Sequence, residues 1–213
     1  MSTPTRWAGV PLTDRRAERR TLLVDAGFAL FGSGGEAALS VRSVCRECEL
    51  NTRYFYESFA DTDELLGAVY DRVATALATT VEQAMADAGN SVPDRTRAGI
   101  RAVLGFSSDD PRRGRVLFTD ARANPVLAAR RAVAQDVLRE LVLTESGQVF
   151  PDSDPVATRV GAAMYTGAMA ELAQDWLAGH LGDDLDAVGR RAADRPPGGT
   201  PRAAGGRGFP AVR

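Results

Sequence analysis

The chain of 213 residues contains no lysine, so every one of its 26 basic residues is arginine. It has one histidine, His180, and two cysteines, Cys45 and Cys48. These shortages narrow the chemistry. A single imidazole with no adjacent nucleophile, and no Gly-rich phosphate loop after a strand, leave an enzyme little to work with. Gly32-Ser33-Gly34-Gly35 has no strand before it and reads as a helix stop. A zinc site wants four ligands, and the lone histidine lies far from the cysteine pair. Neither catalysis, nor a metal, nor a cofactor is expected.

Long apolar runs are missing too. Val160 to Ala170 comes nearest and is interrupted by Gly and Thr, well short of the roughly 18 residues that span a bilayer. Met1 to Pro11 lacks the apolar stretch of a secretory leader. The expectation is a soluble, cytoplasmic protein with no membrane partner. A net charge of −2 and a pI near 5.5 exclude a non-specific nucleic-acid coat. No strand alternation is visible, and the fold is expected to be all-α.

What is present is concentrated between Ser40 and Phe59. Val41, Val44, Cys45 and Cys48 recur at i, i+3, i+4 and i+7, which sets four small apolar groups on one helical face. Ser40 is placed to cap that helix, and Arg42, Arg46 and Glu47 fall on its wet side. Cys45-Arg46-Glu47-Cys48 is formally a C-x-x-C. Both thiols lie on the apolar stripe, however, and a buried free cysteine behaves as a small hydrophobe. Glu49-Leu50-Asn51 breaks the period: Leu50 plugs the corner between two helices and Asn51 caps the second.

That second helix begins Asn51-Thr52-Arg53-Tyr54-Phe55-Tyr56. Phe55 and Phe59, four apart, belong to a core. The other side chains suit DNA. Asn and Arg pair with base edges in two-point fashion and Thr can touch a thymine methyl, while Thr and Tyr hydroxyls hold phosphates. A recognition helix makes base contacts through its N-terminal residues, where these groups cluster.

The segment resembles the helix-turn-helix of the tetracycline-repressor (TetR) family of transcriptional regulators. Tyr56-Glu57-Ser58-Phe59 matches that family's Tyr-x-x-Phe, Asp63-Glu64-Leu65-Leu66 its Leu-rich fourth helix, and Thr13 to Phe31 its first. The likeness covers about residues 13–75. Cys48-Glu49 stands where the family has Ala-Gly at the turn, and Glu at a position needing positive φ costs about a kilocalorie relative to Gly. Thr62 stands where the family has a phosphate-gripping Lys. Asp61 and Glu64 read as a capping box.

The resemblance implies a dimeric regulator, most often a repressor, that binds double-stranded DNA at a pseudo-palindromic operator and is released by a small-molecule effector. Candidate DNA-binding residues are Ser40, Val41, Arg42, Asn51, Thr52, Arg53, Tyr54, Tyr56 and Thr62. Arg15, Arg16, Arg19 and Arg20 either approach phosphates or form a solvated face. Two alternatives stay open: a redox-responsive regulator using Cys45 and Cys48, and a helical interaction protein that binds no DNA.

The expected organisation is a flexible arm (1–12), a helix-turn-helix domain (13–60), a helical ligand-binding and dimerisation domain (61–193) and a disordered tail (194–213). The first helix should bury Leu22, Leu23, Ala26, Ala29 and Leu30. Further helices are expected at Thr62 to Ala88, Pro93 to Phe106, Pro111 to Ala121, Pro125 to Glu145, Pro155 to Ala178 and Asp183 to Ala193, with a loop from Gly147 to Asp154. Val126, Leu127, Val133, Val137, Leu138 and Leu141 form the apolar set of the Pro125 helix. By resemblance the last two long helices form a homodimer seam. Candidate pocket residues are Phe106, Leu117, Phe118, Arg122, Met164, Tyr165 and Trp176, with Asn124 a possible polar handle.

Overall fold

In the computed structural model, the residues described are 6–7, 10–120, 124–149 and 154–193. They form α1 (Leu12–Gly34), α2 (Val41–Glu47), α3 (Thr52–Tyr56), α4 (Thr62–Asp87), α5 (Val92–Asp109), α6 (Pro111–Gly114), α7 (Pro125–Val149), α8 (Pro155–Leu177) and α9 (Leu185–Ala193). The fold is all-α. A minimal antiparallel ribbon, β1 (Arg6–Trp7) with β2 (Val10–Pro11), precedes α1 within the segment expected as a flexible arm. Trp and Val suit such pairing, but two residues a side give no alternation for a sequence reading to detect. The expected tail, 194–213, lies outside the described residues.

α1 runs three residues beyond Phe31 and stops at Gly35, whose φ of 67° an L side chain rarely adopts. Leu22 is a correction: it is 46% exposed, whereas Leu23, Val24, Ala26 and Phe31 are buried. The helices that follow pack against that inner side. Phe55, Phe59, Val44, Leu65, Leu66 and Val69 join Leu23 and Phe31 in one core, which continues through Phe106, Val116, Leu117 and Leu127. A second core gathers Ile100, Leu104, Ala173 and Val188, and Phe118 packs against both.

α4 is the spine. At 26 residues it is about 39 Å long. Asp61 caps it by accepting from the Glu64 N–H at 2.8 Å, while the Glu64 carboxylate accepts from the Ala60 N–H at 2.7 Å. The acids that make this corner negative therefore hold the helix start. α4 packs on α1, α5 and α7, and Arg130 of α7 pairs with Asp71 at 2.7 Å.

Two expected elements change shape. The single helix expected from Pro111 becomes α6 followed by a π-helical turn, Arg115–Thr119. At that junction Gly114 lies against Leu177 of α8, where a Cβ would be 2.7 Å from a Leu177 methyl. The widened turn then buries Val116 and Leu117. Instead of a loop starting at Gly147, α7 continues helically to Val149; an isolated helical Gly costs only about a kilocalorie. The apolar set of α7 also divides. Leu127 is buried, but Val133 and Val137 are 62% and 65% exposed, with no described residue covering that side. Among the described residues, no helix is long and apolar enough to cross a membrane.

Candidate nucleic-acid interface

α2 begins with a reciprocal cap. The Ser43 N–H donates to Ser40 Oγ at 3.1 Å, and the Ser40 N–H donates to Ser43 Oγ at 2.9 Å. Val44 and Cys45 are buried, and Val41 and Cys48 are half-buried on the same core, so the apolar stripe seats the helix. Arg42 stays exposed on the outer side. The Cys48 thiol donates to the Val44 carbonyl at 3.1 Å. Burial pushes both thiols above their ordinary value, Cys45 also through Cys48 beside it. The thiolate is the reactive form, and burial disfavours it at both positions.

The turn closes when the Leu50 N–H donates to the Cys45 carbonyl at 2.9 Å. Glu49 takes φ 54° there, the only non-glycine with positive φ among the described residues. The strain expected from Glu in the place of Gly is real.

α3 is short and two-sided. Asn51 caps it, its side-chain oxygen accepting from the Arg53 N–H at 2.9 Å. The amide NH2 of Asn51 is left to donate to an external partner. Phe55 is wholly buried and packs on Phe59 at a centroid distance of 5.9 Å. Thr52, Arg53, Tyr54 and Tyr56 lie exposed, Tyr56 at 62% with its ring edge-on to Phe55. Thr62 is half-buried in the first turn of α4.

Three arginines of α1 have partners on α3 and the residues just after it. Arg16 donates to the Glu57 carbonyl and Arg20 to the Ser58 carbonyl at 2.7 Å. Both satisfy oxygens that the end of α3 leaves over. The Arg20 guanidinium also lies 4.1 Å over the Phe59 ring, and that of Arg19 4.5 Å over Tyr54. Arg19 and Arg53 both pair with the Glu57 carboxylate. Glu57 was not singled out in the sequence; its i,i+4 relation to Arg53 was readable, but its tie to α1 was not.

Residues 23–69 match the sequence profile of the bacterial regulatory proteins of the tetR family. That stretch spans the inner part of α1, all of α2 and α3, and the buried start of α4. Over that stretch the chain is similar to the tetR family. Solved structures extend the likeness of fold across the bundle. The fatty acid degradation regulator FadR of Bacillus halodurans superposes with a TM-score of 0.67 at 16% identity, over 85% of this chain and 95% of its own. A TetR-like transcriptional regulator of Rhodococcus sp. RHA1 gives 0.63 at 20% identity, over 84% and 93%. FadR of Bacillus subtilis, solved with stearoyl-CoA, gives 0.66 at 15% identity, over 84% and 98%.

The candidate pocket residues of the bundle are dispersed. Leu117 is core, Phe118 bridges the two cores, and Met164 is 52% exposed. Tyr165 is half-buried, with its phenol pushed up by burial, and Trp176 Nε1 donates to Ser108 Oγ at 2.6 Å. Arg122 lies outside the described residues. A cleft of about 520 Å³ does open between α4, α5 and α9, lined by Ala84, Arg101, Ala102, Phe106, Arg113 and Leu185 among others. Of the sequence candidates, Phe106 lines it. Asn124 instead caps α7, its Oδ1 accepting from the Val126 and Leu127 N–H groups.

Proposed function

We propose that this protein is a dimeric repressor that binds a pseudo-palindromic operator and leaves it when a small molecule occupies the bundle. The observation that carries this reading is the two-sidedness of α3: a buried Phe55 fixes the helix while Thr52, Arg53, Tyr54 and Tyr56 stand outward. Arg53 reads a base edge. Thr52, Tyr54, Tyr56 and Thr62 hold phosphates, joined by Asn51 through its NH2 and by the Ser40-Val41-Arg42 end of α2.

A second copy is the proposed partner on α7 and α8. Val133, Val137, Val156, Val160 and Met164 are exposed there, and a Cβ added at Gly161 or Gly167 would meet no described residue within 4 Å. Small and apolar residues left uncovered on two helices suit a close four-helix seam. Two-fold pairing then sets two α3 helices about 34 Å apart, one turn of duplex.

The α4–α5–α9 cleft is the proposed effector site. Its alanines and Phe106 suit an apolar chain, and Arg113 suits an anionic head, while Arg101 is paired with Asp186 and Asp109 lines the same cleft. The stearoyl-CoA bound to the Bacillus subtilis FadR makes an acyl thioester the first compound to try. Such a ligand acts only through its differential affinity for the DNA-competent and incompetent states.

Selection from a random-sequence duplex pool, followed by gel-shift titration, tests the reading. The expected result is a two-fold-symmetric motif bound by a dimer, with affinity falling steeply as salt rises. Sequence-independent retardation, or no retardation, overturns it.

A further inference from the structure

Glu57 lies at the base of the exposed edge of α3 and is held from two sides. Its Oε1 accepts from Arg53 Nε at 3.1 Å, and its Oε2 lies 3.6 Å from a terminal nitrogen of Arg19. Arg19 is fixed in turn, with its guanidinium 4.5 Å over the Tyr54 ring. The main chain at this point is anchored separately, through Arg16 to the Glu57 carbonyl and Arg20 to the Ser58 carbonyl. A lone exposed i,i+4 pair is loosely held. Here the carboxylate has a second cation from another helix, so it is a fixed post for Arg53 to lean on.

The consequence lies in which nitrogens of Arg53 remain. The side chain is 83% exposed and its Nε is taken by Glu57. A guanidinium has five N–H donors in a rigid fork. With Nε committed, the two terminal nitrogens are left for an outside partner. Two parallel donors at that spacing match O6 and N7 of guanine in the major groove, and present the wrong pattern to the adenine N6–H2 donor and the cytosine N4–H2 donor.

We propose that Glu57 is a specificity-determining positioning residue, which restricts Arg53 to end-on, two-point recognition of one guanine in each half-site. This rests on the reading of α3 as the base-reading helix. Glu57 itself touches no base. As a fixed negative charge near the duplex it also opposes non-specific phosphate binding, so its removal lowers discrimination without lowering general affinity.

The experiment uses the full chain, a random-sequence duplex pool, and the selected duplex with each single base pair replaced. The unsubstituted protein should select guanine at one position per half-site, and Arg53→Ala should erase that preference. Glu57→Ala should reduce the preference at that one position roughly three- to tenfold and leave the rest of the motif intact. Glu57→Gln, which keeps an acceptor oxygen, should lose less. In an Arg53→Ala background, Glu57→Ala should change nothing further at that position. Because the Arg16 and Arg20 bonds go to backbone carbonyls, both Glu57 variants retain the main-chain anchors, and thermal melts confirm their folding.

Undiminished guanine preference in Glu57→Ala, with Arg53→Ala still erasing it, overturns the positioning role and leaves the reading of α3 standing. So does a uniform loss at every base position, the signature of a merely structural part. An Arg53→Ala protein that keeps every base preference sinks the reading of α3 itself.

Discussion

The Asn124 side-chain amide donates to the Glu36 carboxylate at 3.0 Å, joining two residues 88 positions apart. Beside this bond, Arg115 of the π-helical turn donates to the Ser33 carbonyl at 3.1 Å. The bundle therefore grips the loop that ends α1, the helix whose arginines clasp α3. Asn124 is only 5% exposed and caps α7 with its oxygen. Asn124→Ala removes the cap and leaves buried N–H groups short of a partner, at a cost of about 1–3 kcal/mol. Urea denaturation of the two proteins measures this.

Glu49 offers the opposite change. It holds φ 54°, a conformation that costs a non-glycine residue about a kilocalorie or more. Glu49→Gly is expected to stabilise the protein by about 0.5–1 kcal/mol, part of the relief being offset by the looser unfolded chain. A higher urea midpoint at unchanged m-value is the expected observation.

Alkaline pH should destabilise the fold. Burial pushes the Tyr70 phenol up to about 12 and the Cys45 and Cys48 thiols above 9.0. The folded protein then holds these protons more tightly than the unfolded chain. Their contribution is complete below the unfolded values, 9.0 for the thiols and 10.0 for the phenol, and is lost as pH climbs through the higher folded ones. Melting temperature should fall from about pH 9 upward, and less steeply in Tyr70→Phe.

The exposed valines test the seam. Val137→Asp on α7 or Val160→Asp on α8 places a charge on a surface that single-chain packing does not use, so the protomer should fold normally. Light scattering should report a dimer for the unsubstituted chain and a monomer for either variant. Operator affinity should drop by a hundredfold or more, roughly the avidity that linking two half-sites supplies.

Arg42 and Arg53 should separate by their salt dependence and base dependence. Arg53→Ala is expected to cost about 1–3 kcal/mol at one base position. Arg42→Ala should weaken binding to all sequences alike and reduce the salt slope by about 1. Titrations at several salt concentrations against matched and mismatched duplexes distinguish them.

Local interactions were legible in the sequence. The Ser40, Asn51 and Asp61 caps, the stripe that seats α2, and the burial of Phe55 and Phe59 all depend on neighbours within about four residues. Helical periodicity displays such neighbours directly. Partners from afar were not legible. Arg16, Arg19 and Arg20 read equally well as phosphate contacts or as a wet face. Their targets, the carbonyls and carboxylate at the end of α3, lie some 38–41 residues away.

The chain order of apolar and capping residues thus determined the helices and the outward chemistry of α3, because a turn of helix is built from what lies three or four residues off. Tertiary structure alone decided which apolar surface stays uncovered, where the bundle opens a cleft, and that α1 fixes the end of α3. Those outcomes depend on how separate helices meet in space, and no local period in the sequence encodes that meeting.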